Sequence, residues 1–138
     1  MEERCCTNVR ITTRTDSEEF VTECDGRITR AGGAFRLKFA ERGGNGLTRG
    51  DLLVDRDCAR LCRTGAVCSE MTFDPLAETR ASYGTAGFSA DFTLKTSHYD
   101  VFFCDKIIVI DLEYSLYDNL GKLGDFTLKI ELTDKPKA

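Results

Sequence analysis

The stretch FTLKIEL, residues 126–132, alternates strictly between apolar and polar side chains. Successive side chains of an extended strand point to opposite faces, so this stretch predicts a β-strand with one face in a core and the other in water. The same two-residue rhythm recurs in FRLKF at residues 35–39 and in FSADFTLK at residues 88–95. No segment shows a sustained apolar period of 3.6 residues, so the sequence predicts an all-β protein.

Short polar turns separate these alternating stretches. Strands that follow one another along the chain usually lie side by side, which favours an up-and-down meander. Strands this long leave exposed edges in an open sheet, and closing the sheet into a barrel removes those edges. We therefore predict a single, closed or nearly closed antiparallel up-and-down β-barrel of about 8–10 strands, with a two-sheet sandwich as the alternative. Strands are expected near residues 9–14, 20–28, 35–39, 47–54, 59–64, 67–73, 88–95, 108–116 and 126–132.

Several segments are expected to interrupt the strands. Asp25-Gly26 is a strong signal for a turn or a bulge at the second strand. Residues 76–80 fit either a short strand or one helical turn, and residues 118–124 fit a polar loop. Residues 97–100, with the sequence SHYD, are expected to connect two strands as an exposed loop.

Length and composition limit the class of protein. A chain of 138 residues with 41% hydrophobic and 30% charged residues fits one globular domain over residues 1–138, with loose ends at 1–6 and 134–138. The net charge of −4 argues against nucleic acid or a membrane surface as a partner, since both favour a basic face. No apolar run fits a signal peptide or a membrane span, so a cytoplasmic protein is expected.

Seven cysteines raise the question of disulfide bonds or a metal site. In a reducing compartment, free thiols that act mostly as small apolar residues are expected. Cys58, Cys62 and Cys68 offer the best metal alternative, but their spacings of four and six residues do not match those of zinc motifs. On one strand, Cys58 and Cys62 would lie about 13 Å apart, too far to share an ion. We therefore expect no metal ion and no cofactor.

A set of short motifs resembles a known family. The motifs occur in the order LCRTG at residues 61–65, MTF at 71–73, YGTAGF at 83–88 and LKT at 94–96. Together with residues 20–26, 107–117 and 126–132, they resemble the YwiB-like family of uncharacterised bacterial proteins. The resemblance implies a calycin-type, lipocalin-like β-barrel. It implies no activity, because that family has no assigned function.

Arg63 is the strongest candidate for a functional residue. It lies in phase with Ala59 and Leu61, so it points into the barrel if that face is the interior. A buried guanidinium is costly unless it is paired, and it therefore needs a carboxylate partner or an anionic ligand. The alternative is an arginine at the end of the barrel, whose stem packs on apolar residues while its head reaches solvent.

Further residues are expected to complete a ligand-binding site around Arg63. Tyr83, Thr85 and Thr96 would supply hydroxyl groups among apolar walls, as is usual in small-molecule pockets. Tyr83 fits the rim of the barrel equally well, with its ring packed and its hydroxyl in water. Met71 and Phe92 would line the same cavity, and they fit an ordinary apolar core as well.

Catalytic chemistry is only weakly indicated. His98 is the one histidine of the chain, and its place in the predicted connection favours a solvated loop residue over a general base. The sequence lacks the phosphate-binding G-x-x-x-x-G-K-S/T loop, the G-x-S-x-G nucleophile elbow and the H-E-x-x-H metal motif. No catalytic residue is predicted.

Three functions follow, in order of preference. The first is a bacterial barrel that binds a small, largely apolar ligand with an anionic group facing Arg63. The second is a ligand-free barrel that acts as an interaction module or a homodimer through outward residues such as Val109 and Tyr117. The third is an enzyme that uses Arg or Cys/His chemistry inside the barrel. The fold by itself does not choose among them, since one fold hosts many functions.

Overall fold

Ten antiparallel strands make up the structure, a computed structural model that describes residues 3–43, 46–104 and 106–134, with the backbone alone for 3–6 and 31. The strands are β1 (Glu3–Arg14), β2 (Glu19–Ala31), β3 (Ala34–Gly43), β4 (Gly46–Val54), β5 (Ala59–Gly65), β6 (Cys68–Phe73), β7 (Glu78–Thr85), β8 (Phe88–Cys104), β9 (Ile107–Asp118) and β10 (Gly121–Asp134). Each strand pairs with its neighbours in sequence, and β1 also pairs with β10. The predicted all-β, closed up-and-down barrel is confirmed.

The two ends of the barrel differ. We call the end that carries the β1–β2, β3–β4, β5–β6, β7–β8 and β9–β10 turns the mouth, and the opposite end the base. Inward side chains in the half nearer the base are almost all buried. At the mouth, in contrast, the inward residues Phe20 and Phe88 are each 57% exposed and Tyr83 is 43% exposed. The apolar core therefore fills the half near the base, and the aromatic residues at the rim of the mouth are exposed to solvent.

Tyr99 links β8 to the connection between β4 and β5 at the base of the barrel. Its hydroxyl donates to the backbone carbonyls of Asp55 at 2.7 Å and Cys58 at 3.2 Å, on the connection between β4 and β5. Burial raises the pKa of the Tyr99 phenol, and the nearby Cys58 and Asp55 raise it further. The hydroxyl therefore stays protonated and keeps its role as a donor.

The predicted loop at residues 97–100 is wrong, because β8 runs straight through it. A register shift between Thr96 and His98 against β9 marks a β-bulge. The bulge changes the parity of the strand: Thr96 points inward before it, and Tyr99 points inward after it. A bulge adds one unpaired residue, so the alternation of inward and outward residues along β8 is broken at this point. A sequence pattern that assumes strict alternation therefore misses the continuation of the strand. His98 is consequently a strand residue on the outer face.

Other predicted loops are shorter than expected. β10 begins at Gly121, so the polar loop predicted at 118–124 is reduced to a tight turn followed by a bulge between Lys122 and Gly124. Residues 78–80 belong to β7, which supports the strand alternative for that segment.

Within the end predicted to be loose at residues 1–6, β1 begins at Glu3 and its backbone pairs with β2. At the other end, Asp134 is the last residue of β10. Residues 1–2 and 135–138 lie outside the described residues.

The predicted turn or bulge at Asp25-Gly26 is also wrong, since β2 passes through it with an unbroken register to both neighbours. Gly26 is required by close packing instead. A Cβ atom at Gly26 would lie 2.7 Å from Val9 Cγ2 and 2.9 Å from Leu37 Cδ1. At Gly50 on β4, the three atoms nearest to such a Cβ all belong to the ring of Phe39. Both glycines thus make room for large inward side chains on β3.

Replacing Gly50 by alanine is expected to lower the free energy of unfolding by about 1–3 kcal/mol, because the added methyl group overlaps the buried ring of Phe39. Gly43→Ala is the matched control, since an added Cβ there meets nothing within 4 Å. Denaturant unfolding followed by circular dichroism measures both. Adding Phe39→Leu should relieve part of the cost of Gly50→Ala. Equal stability of the Gly50→Ala and Gly43→Ala variants would contradict the packing argument.

Candidate binding site in the barrel lumen

Arg63 points into the barrel near its mouth, as its phase with Ala59 and Leu61 predicts. Its Nε atom lies 3.3 Å from Oε1 of Glu41 on β3, and the two side chains are only 19% and 21% exposed. The predicted requirement for a partner is therefore met by a carboxylate of the chain itself. An ion pair this sheltered is screened less by solvent than the pairs on the outer face.

Glu41 is the site residue that the sequence reasoning missed. It stands two residues after Phe39 on β3, in the same inward phase as Leu37 and Phe39. The sequence therefore did contain a signal for this residue, because Glu41 is a charged residue at the next inward position after two apolar ones. Only the structure shows that this inward carboxylate lies beside the inward guanidinium.

Two more polar side chains on other strands share the electrostatic field of Arg63. Cys24 on β2 has its pKa raised to about 11, chiefly by burial and then by the charges of Glu41 and Asp25, while Arg63 acts to lower it. Tyr114 on β9 has its pKa raised to about 12 by burial, and Arg63 again acts to lower it. Three separate parts of the wall therefore direct polar groups into the same space.

Two buried hydroxyl groups complete the cluster. Ser69 and Thr96 are each 8% exposed, and neither hydroxyl oxygen has a hydrogen-bond partner in the described part of the chain. Ser69 stands directly opposite Arg63 across the β5–β6 pair, and Thr96 directly opposite Tyr114 across β8–β9. We call these six residues the lumen cluster: Cys24, Glu41, Arg63, Ser69, Thr96 and Tyr114.

The other predicted site residues lie around the cluster on the same inner face. Tyr83 pairs with Ser69 and reaches the mouth, which fits the rim position considered for it. Thr85 is exposed at the end of β7, so it is the outermost of the predicted residues. Met71 and Phe92 are partly buried and pack against the apolar core. The structure thus places all of them on the lumen side but separates Thr85 from the cluster.

His98 and Cys62 lie outside this site. The Nε2 atom of His98 is 2.9 Å from Oδ2 of Asp100, its neighbour on the outer face of β8. Cys62 follows Leu61 on β5 and therefore faces outward. Within residues 3–43, 46–104 and 106–134, no three His, Cys, Asp or Glu side chains are grouped so that they could hold a metal ion.

Fold and site together define a ten-stranded meander barrel with an apolar base, an open mouth and a polar cluster between them. The chain belongs to the family described as a domain of unknown function, DUF1934, whose sequence pattern matches residues 6–130. No curated protein matches the sequence.

A solved structure shares the fold. The crystal structure of the ywiB protein from Bacillus subtilis superposes with a TM-score of 0.76 and 18% sequence identity, and the match covers 98% of this chain and 94% of that one. This match and the family assignment confirm the predicted YwiB-like resemblance. Among the residues described, no helix is long and apolar enough to cross a membrane.

The reactivity of Cys24 should report the charges of the lumen cluster. Because the thiolate is the reactive form, alkylation of Cys24 by iodoacetamide should stay slow at neutral pH and accelerate towards pH 11. Glu41→Gln removes a charge that raises this pKa, so the acceleration should move to lower pH. Arg63→Gln removes a charge that lowers it, so the acceleration should move to higher pH.

Peptide mass spectrometry measures the alkylation rate at each cysteine, and exposed Cys68 serves as the internal reference. Shifts of Cys24 in the same direction in both variants would contradict the arrangement of charges described above.

Proposed function

We propose that the protein binds a small, largely apolar molecule whose polar head carries an anionic or carbonyl oxygen. The head would enter through the mouth and rest on the lumen cluster. The observation that carries this proposal is the pair of buried, unpartnered hydroxyl groups of Ser69 and Thr96. A buried hydroxyl without a partner costs about 1–3 kcal/mol, so such groups usually have a role that offsets the cost.

The donors of the cluster match an oxygen-rich head. Arg63 uses Nε for Glu41, which leaves its two Nη nitrogens for other acceptors. The guanidinium fork suits the two oxygens of a carboxylate, and a serine or threonine hydroxyl can donate as well. A head with two acceptor oxygens would therefore satisfy Arg63, Ser69 and Thr96 together.

The walls above the cluster suit an apolar tail. Phe20, Tyr83 and Phe88 are exposed at the mouth, at positions in the inward phase of their strands. Deeper in the lumen, further apolar side chains are only partly buried and pack on the core; these are Met71, Phe92, Leu116 and Phe126. A bound tail would cover this surface, and each 100 Å² of apolar surface removed from water contributes about 2.5 kcal/mol.

Glu41 limits the kind of ligand that fits. Its carboxylate neutralises much of the charge of Arg63, so a simple inorganic anion gains little attraction there. Affinity has to come from apolar contact together with directed hydrogen bonds. The proposal is therefore an amphiphilic ligand, in which the charged pair fixes the orientation of the head.

Anilinonaphthalene sulfonate is an apolar anion whose fluorescence rises on binding, and it serves as the probe. Arg63→Met is expected to weaken its binding by at least about tenfold, because the main donor for its sulfonate group is lost. Arg60→Met is the matched control. Arg60 lies on the same strand, but it faces outward and pairs with exposed Glu70. Fluorescence titration measures both variants.

Arg63→Met leaves Glu41 without its partner, so the double variant Arg63→Met/Glu41→Gln is measured alongside it. Circular dichroism checks that every variant is folded. Equal dye affinity in the Arg63 and Arg60 variants would contradict a lumen site. Native mass spectrometry of freshly purified protein adds a direct test, since a bound ligand appears as extra mass that is lost on denaturation.

Thr96→Val is expected to raise the free energy of unfolding of the ligand-free protein by about 1 kcal/mol, since it replaces an unsatisfied buried hydroxyl with a methyl group of similar size. The same change should weaken dye binding, because a donor disappears from the cluster. Thr93→Val, which alters a partly buried threonine on the outward face of β8, is the control. Chemical denaturation and the dye titration provide the two readouts. A loss of stability in Thr96→Val would argue that its hydroxyl is already satisfied.

A second candidate function is homodimerisation through the base. Three apolar side chains at the β8–β9 connection are strongly exposed: Phe102 at 50%, Phe103 at 61% and Ile107 at 42%. Phe102 and Ile107 lie on the outer face and Phe103 on the inner face, and exposed apolar side chains near one end of a barrel can meet a second copy of the chain. Light scattering after size exclusion decides this case, because Phe103→Ser should convert a dimer of this kind into a monomer.

A further inference from the structure

A separate groove of about 650 Å³ runs across the outer face of β2, β3, β4 and β5. Its floor follows Gly26, Phe39 and Gly50, which stand directly opposite one another on three adjacent strands. All three of these positions face inward, so their outer side, the floor of the groove, is largely backbone. Cys62 and Ala40 add small side chains to the walls.

Three exposed cations line this groove, namely Arg27, Lys38 and Arg49. Within the described part of the chain, none of them forms an ion pair. Arg27 and Lys38 stand directly opposite each other across the β2–β3 pair. Like charges in that position destabilise a sheet, because their side chains are only about 5 Å apart at Cβ.

Several cations elsewhere on the outer face are paired. Arg10 on β1 has the carboxylate of Glu23 directly opposite it, and Arg60 on β5 contacts Glu70 on the adjacent strand β6. The groove differs in that it brings three cations without an ion pair among the described residues together, in a chain whose net charge is −4.

Two carboxylates also line the groove, and they do not cancel the cations. Asp51 stands directly opposite Lys38 across the β3–β4 pair, and it also lies 3.2 Å from Nε of Arg36, a residue outside the groove lining. Asp25 also has a partner of its own. Three cations against two carboxylates leave the groove lining with a small positive balance, and donor groups project from β2, β3 and β4.

We propose that this outer groove binds a small organic phosphate with two or more negative charges. The phosphate oxygens accept hydrogen bonds from Arg27, Lys38 and Arg49. The organic part lies along the backbone floor over Gly26 and Gly50, where no side chain obstructs it. The groove is on the opposite side of the barrel wall from the lumen cluster, so this site is independent of the lumen ligand.

The arginine and lysine side chains of the groove offer different donors, and both kinds suit a phosphate group. The two guanidinium forks offer paired donors that match adjacent phosphate oxygens, and the ammonium of Lys38 adds a compact charge between them. A bound anion also removes the repulsion between Arg27 and Lys38. The groove is therefore less favourable when empty than when occupied, as expected of a binding site kept at some cost in stability.

Isothermal titration calorimetry with adenosine diphosphate, and with inorganic pyrophosphate as the anion alone, tests the proposal at low ionic strength. We expect saturable binding of adenosine diphosphate that weakens as salt is added. Arg27→Gln, Lys38→Gln and Arg49→Gln should each reduce the affinity about tenfold, since each removes a charged donor. Arg60→Gln, an exposed and paired arginine outside the groove, should leave it unchanged.

Thermal unfolding of the ligand-free protein tests the like-charge pair separately from binding. Arg27→Gln should raise the Tm by about 1–4 °C, because it removes the like charge opposite Lys38 and leaves Lys38 facing Asp51. Saturable binding that is lost in Lys38→Gln and kept in Arg60→Gln supports the proposal.

Three results would overturn it: no saturable binding of either probe, undiminished binding in Lys38→Gln, or a much stronger preference for single-stranded RNA. The lumen proposal is tested separately, because Arg63→Met should leave phosphate binding in the groove unchanged.

Discussion

Pairing of β1 with β10 is the constraint on which the rest of the structure depends. Eight residue pairs join the two strands, from Thr7 with Asp134 to Arg14 with Thr127. The hydroxyl of Thr7 reinforces the seam by donating to the carbonyl of Thr133 at 2.7 Å. Without this seam the meander would be an open sheet with two long edges, which invites association with other chains. With it, the inner face becomes a closed volume with one accessible end.

The number of strands in that closed ring decides what the interior can hold. A barrel of about eight strands is just filled by its own side chains, and the diameter grows with each added strand. Here ten strands close the ring. On the inner face nearer the mouth the chain places Arg63, Glu41 and two buried hydroxyl groups that have no hydrogen-bond partner among the described residues. Sheltered polar groups that lack partners are the reason why a ligand-binding role is proposed.

The inner and outer sites share a structural cause. Phe39 has room in the lumen because Gly50 beside it has no side chain, and Gly26 in the same way makes room for Val9 and Leu37. The same two glycines lie on the floor of the outer groove. Positions 26, 39 and 50 all face inward, so this part of the wall packs side chains inside and shows backbone outside. The two faces carry different charge patterns, a neutralised pair inside and unpaired cations outside, which is why different ligands are proposed for them.

The sequence by itself determined the all-β class, the meander and the inward phase of Arg63. A two-residue period is a local property, so it can be recognised in each strand without knowledge of the others. Tertiary structure alone decided the rest. The bulge after Thr96 reverses the parity of β8 and turns a predicted loop into strand, and Gly26 signals a turn locally but serves close packing. The partnership of Arg63 with Glu41 joins strands that are 22 residues apart at these positions. Such contacts depend on the offset between neighbouring strands in the closed barrel, and this offset cannot be predicted from any local pattern in the chain.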